Sequence, residues 1–161
     1  MYYPDISTIP PQAAPPTQDV SYTLTAEIER PRDSCQGVLV AYGSRHSGYA
    51  LFIKDNRLMH GYSYCGETSV LTADLPLPLG AAAVGVAFHK TGALRGVFRL
   101  TIDGRVVAER AMDRTLLRIS LESLRIGRSG LPTVVPEYDG TFPFDGAIRR
   151  VVYELADDHG T

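Results

Sequence analysis

Apolar and polar residues alternate singly over much of the chain, which is the period of half-buried β-strands. Residues 21–29 (SYTLTAEIE) place Tyr22, Leu24, Ala26 and Ile28 on one face and Thr23, Thr25, Glu27 and Glu29 on the other. Residues 37–42 (GVLVAY) are nearly all apolar, which predicts a central strand covered on both faces. The runs 48–54 and 57–64 flank Asp55-Asn56, a two-residue turn built from residues that tolerate positive φ. A strand follows near 68–74, and then LPLPLG breaks the pattern. The runs 82–89 and 97–103 lead into Asp103-Gly104, the strongest hairpin signal in the chain, with 105–111 as its return strand. Runs at 122–128 and 146–155 complete the set, and 113–121 has room for one helical turn at most. About ten short strands with Gly and Pro between them predict an all-β fold, an antiparallel β-sandwich.

The first twenty residues break this pattern. Pro4, Pro10, Pro11, Pro15 and Pro16 fix φ and remove donors, so residues 1–20 read as an extended arm. An arm bearing Tyr2, Tyr3 and Ile6 reads as a connector that leans on another surface. One sandwich domain is expected over 21–156, with 157–161 a frayed tail. The length of 161 residues suits a single core. A net charge of −2 gives no basic excess for nucleic acid. No apolar run is long enough to span a membrane, and the N-terminus lacks the basic start and apolar stretch of a signal peptide. The expectation is a soluble cytoplasmic chain whose Cys35 and Cys65 are free and half-buried.

Candidate chemistry is sparse. His46 lies in the polar turn YGSRHSGY, with neither HxH nor HExxH spacing near it. It reads as an exposed loop histidine, with ligand contact the alternative. His60 and His89 fall on strands and read as structural. Nucleophile-elbow, P-loop and dinucleotide motifs are absent. Glu137, Asp139 and Asp145, close together in PEYDGTFPFDG, are candidate calcium ligands. The competing reading has Phe142 and Phe144 plugging the core while the acids are solvated. The tyrosines and histidines of 37–67 read as loop and sheet surface, with Arg45 and His46 kept as a contact site.

The order of these segments resembles the C-terminal domain of large bacterial arylsulfatases. The resemblance rests on the Pro-rich entry IPPQAAPPTQDVSYTLTAEIERP, on QGVLVAYGSRHSGYALFIKDNRLMHGYSY and LPLPLG, then VFRLTIDGRVVAE, LRIGRSGLPTVVPEY and FPFDGAIRRVVYEL. In YSYCG, Ser63 and Cys65 stand where the family has Asn and Phe. The resemblance implies a jelly-roll sandwich of the concanavalin A or laminin-G type. It carries over no catalytic residue: Cys35 and Cys65 both lack the C-x-P/A-x-R sulfatase signature, and the resembling part excludes the catalytic α/β domain.

Three functions follow as expectations. The first is an accessory sandwich with no catalysis or cofactor of its own, docking on a sulfatase catalytic domain in cis or in trans through Tyr2, Tyr3 and Ile6. The second is a lectin-like module that binds a glycan or sulfated sugar through Arg45, His46, Tyr62 and Tyr64. The third is a sandwich hydrolase, which requires two carboxylates roughly 5–9 Å apart in a cleft.

Overall fold

A computed structural model describes residues 8–10, 14–17, 20–115, 124–131 and 133–156. Among these the chain forms eleven strands. They are β1 (Thr8–Ile9), β2 (Tyr22–Arg30), β3 (Gly37–Gly43), β4 (Gly48–Lys54), β5 (Arg57–Tyr64) and β6 (Glu67–Thr72). The remainder are β7 (Gly80–Gly92), β8 (Arg95–Ile102), β9 (Arg105–Met112), β10 (Leu124–Ile126) and β11 (Ala147–Leu155). Two antiparallel sheets face each other, with strand orders β1-β10-β3-β4-β5-β6 and β11-β2-β7-β8-β9.

Each strand expected from alternation is present. β1 is additional: the arm adds a two-residue edge strand against β10 and buries Ile9. The turns act as their sequences dictate. Asp55 and Asn56 adopt φ of 53° and 61°, and Asp103 and Gly104 adopt 50° and 81°. Both central residues of a type I′ hairpin need positive φ, and these types accept it most readily. Cys65 and Gly66 make a third such turn between β5 and β6.

The inner faces meet in an aromatic core. Tyr22, Tyr42, Tyr49, Tyr62, Phe88 and Phe98 are all buried there. His60 is 2% exposed, with ring centroids at 4.6 Å to Phe98 and 6.2 Å to both Tyr49 and Tyr62. Tyr42, Tyr49, Tyr62 and His60, expected at the sheet surface, therefore lie inside it. Even-numbered positions of β5 face the opposite sheet, and alternation alone does not say which face of a strand is wet. Cys35 is fully buried and Cys65 exposed, both free.

A second, smaller core lies outside the six-stranded sheet. There Val134, Val135 and Tyr138 pack on Val38, Ala41, Ala50 and Phe52. Residues 133–143 thus form a strap across β3, β4 and β5. The Tyr138 hydroxyl is 2.7 Å from Ser129 Oγ, and the Tyr138 ring lies 5.1 Å from Phe52. Gly61 lies under the strap because a Cβ there would come within 2.8 Å of a Val135 methyl. This cover explains why every residue of β3 is buried, as its apolar run predicts.

Candidate functional site

Directly opposed residues of an antiparallel pair share a face. Tyr62 opposes Ser69 and Tyr64 opposes Glu67, so these four side chains face the five-stranded sheet. Across from them, Arg110 opposes the buried Phe98 and Met112 opposes Gly96, so Arg110 and Met112 face inward too. Here the edges of the two sheets part. The gap is a cleft of about 190 Å³ lined by Tyr62, Tyr64, Glu67, Arg110, Met112 and Arg114, with Thr68, Ser69, Ala111 and Asp113 completing it. Its floor is apolar: Tyr62 is buried, and its ring lies 5.2 Å from that of Phe98. Its rim is charged. The Arg114 guanidinium sits 5.3 Å from the Tyr64 ring centroid and 3.5 Å from the Glu67 carboxylate. Arg110 is exposed and has no ion partner among the described residues.

Such a cleft can hold a small ring against an aromatic face and fix its polar groups with guanidinium donors. It is smaller than the roughly 300–1,000 Å³ of sites for drug-sized ligands, so it suits one ring or a chain end. Glu67 and Asp113 both line it, but both are exposed, and Glu67 is engaged by Arg114. Paired catalytic carboxylates need one acid held protonated by a dry setting, which these exposed groups lack. A more open hollow of about 450 Å³ lies against β2, β7 and β11, lined in part by Thr23, Ala87, His89, Arg99 and Glu154. Its cation is already paired, Arg99 Nε lying 2.6 Å from Glu109.

Neither a family model nor a curated protein sequence matches the chain. Solved structures do. The mouse laminin alpha1 chain, domains LG4-5, superposes with a TM-score of 0.68 at 13% identity over 93% of this chain. The CBM40 module of the Ruminococcus gnavus IT-sialidase gives 0.64 at 14% identity, covering 86% of this chain and 79% of the module. The same module bound to alpha2,3 sialyllactose gives 0.63 at 12% identity, covering 86% of this chain and 78% of that one. The chain has a laminin-G-like fold. It spans 40% of the laminin structure it matches. These likenesses establish the sandwich and provide no link to a sulfatase.

Within the laminin-G-like sandwich the expected site residues separate. Tyr62 and Tyr64 come together in the cleft. Arg45 points to the other side of its sheet, donating from Nε to the Thr133 carbonyl at 3.0 Å and from its terminal nitrogen to Thr133 Oγ1. It holds the strap. His46 is exposed in the β3–β4 turn, and its carbonyl accepts from Gly66 N at 2.8 Å. Asp145 accepts from Gln36 N at 2.9 Å and pairs with Arg32 at 3.2 Å, while Glu137 and Asp139 are exposed. Among the described residues no three His, Cys, Asp or Glu side chains gather as a metal would require. Phe142 packs on the smaller core and Phe144 on the main one, both half-buried. Tyr2, Tyr3 and Ile6 lie outside the described residues.

Glu67, Arg110 and Arg114 did not stand out in the sequence. Their signal is a broken alternation. Inward positions of β6 read Glu67, Ser69, Leu71, and those of β9 end in Arg110 and Met112. Charge at an inward position marks where the sheets open, but only once register is known.

Proposed function

We propose that this laminin-G-like sandwich is a glycan-binding module, lectin-like and without catalysis of its own. The observation that carries this reading is the half-buried Tyr64 ring at the mouth of a cleft that also presents Arg110 and Arg114. Aromatic faces take the apolar face of a sugar ring, and guanidinium groups donate to its oxygens. The fold supports the reading, since modules of this architecture include one solved with a bound oligosaccharide. In this reading Tyr62 forms the floor, Tyr64 the platform and Arg110 the polar clamp.

The test is a screen of the chain against immobilised saccharides, followed by titration of each hit with Tyr64→Ala. The expected result is saturable binding that weakens by about tenfold or more in the variant. Absence of any saccharide hit, or equal binding by Tyr64→Ala, overturns the proposal.

A further inference from the structure

The glycan reading, on which this inference rests, does not itself say which saccharides enter; the charges at the mouth do. Arg114 covers the face of Tyr64 and is held there by Glu67. Both partners are largely exposed, at 63% and 77%, so the pair is weak and easily exchanged. Arg110 reaches the same cleft from β9. The cleft therefore holds two guanidiniums, fills the place of an anion with its own carboxylate, and covers the ring a sugar would stack on. A neutral sugar must lift Arg114 away and offers the cation nothing in return. A sugar bearing a carboxylate or sulfate replaces Glu67 as the partner of Arg114, with Arg110 as a second charge-assisted donor.

We propose that Glu67 and Arg114 form an internal latch: it closes the Tyr64 platform and yields selectively to acidic saccharides, whose anion takes the place of Glu67. Glu67 then acts as a competitor built into the site. Removing its charge should tighten acidic ligands, and removing Arg110 should weaken the preference for them.

The experiment titrates the whole chain with lactose, sulfated lactose and sialyllactose, which share one core and differ in their acid. Amide chemical shifts of β5, β6 and β9 report the cleft. Wild type should prefer at least one acidic sugar over lactose. Glu67→Gln should bind that sugar about two- to fivefold tighter, in keeping with loss of an exposed ion pair. Arg110→Ala should reduce the preference by about tenfold or more. Glu67→Gln is nearly isosteric at an exposed position, and an unchanged spectrum elsewhere confirms its fold. Equal binding of neutral and acidic sugars, or a Glu67→Gln variant no tighter than wild type, overturns the latch and leaves the glycan reading standing. Silence of the cleft toward all three sugars overturns the latch, and the saccharide screen alone then decides the glycan reading.

Discussion

Two buried side chains carry more of this fold than their residue types suggest. Burial lowers the pKa of His60 from 6.5 to about 3. Its Nε2 has no hydrogen-bond partner among the described residues, so the neutral ring is packed as an aromatic. In the unfolded chain the same ring takes a proton below about pH 6.5. Between pH 6.5 and 3 the unfolded state therefore binds more protons, and stability falls as pH falls, by up to about 1.4 kcal/mol per pH unit from this group. The contribution is complete above pH 6.5. His60→Phe should flatten this acid limb, read as the difference between urea midpoints at pH 7 and pH 4.5; an equally large difference in the variant would sink the assignment. Arg30 is the opposite case, a fully buried cation. It donates to the carbonyls of Cys35, Leu77 and Asp33 at 3.2, 3.3 and 2.9 Å, and to Asn56 Oδ1 at 2.6 Å. Burial lowers its pKa, and these oxygens compensate the charge. Arg30→Met fills the volume but strands the acceptors, so a loss of about 3–5 kcal/mol is expected by chemical denaturation. A loss below about 1 kcal/mol would show that water satisfies those oxygens in its place.

Strands and hairpins depend on neighbours in sequence, which is why alternation and the turns at Asp55-Asn56 and Asp103-Gly104 revealed them. The strap of residues 133–143 depends on what lies beneath it. Its packing residues Val134, Val135 and Tyr138 have neither strand nor helix period, so nothing local marks them as a second core. The only trace in sequence is that β3 is apolar on both faces, which demands cover without naming it. The same gap hid the partner of Arg45. As a loop arginine beside His46 it reads as a ligand contact, whereas the structure commits it to Thr133. The prediction that separates these roles is Arg45→Ala. It should leave saccharide affinity unchanged, lower stability by about 1–3 kcal/mol, and raise amide exchange selectively over the strap. Weakened binding without faster exchange would restore Arg45 to the site. Tyr64 was legible as a candidate because it is aromatic on a strand, but its partners were not. Arg110 and Arg114 lie on the other side of the β7–β8 hairpin in sequence, and they join Tyr64 only because β6 and β9 are the edges of facing sheets.

Rings from both sheets meet across the core. Tyr62 and His60 of one sheet meet Phe98 of the other, and the Tyr49 hydroxyl lies 2.8 Å from that of Tyr153. Tyr22 packs between Tyr49, Phe88 and Tyr153, with centroids 6.0–6.5 Å apart. Burial, then the nearby Tyr49 and Tyr62, raises the Tyr22 phenol well above its ordinary pKa of 10. Neither sheet keeps a dry face without the other, so the sandwich should lose both together. Four of the nine pairings among the described residues also join strands distant in sequence: β2 with β7 and β11, and β10 with β3 and β1. Loop closure must precede those contacts, which places refolding on the millisecond-to-second scale of non-local β topologies. The expected outcome is one cooperative urea transition. Far-ultraviolet dichroism, which reads the ladders, and near-ultraviolet dichroism, which reads the inter-sheet tyrosines, should give the same midpoint. Loss of the tyrosine signal ahead of the backbone signal would mean that the sheets separate first, and the aromatic core would then be a contact between two self-sufficient layers. That result would bear on the cleft as well, because its floor is Tyr62, which packs on Phe98 of the other sheet, and a module whose sheets part easily would bind its ligand by closing on it.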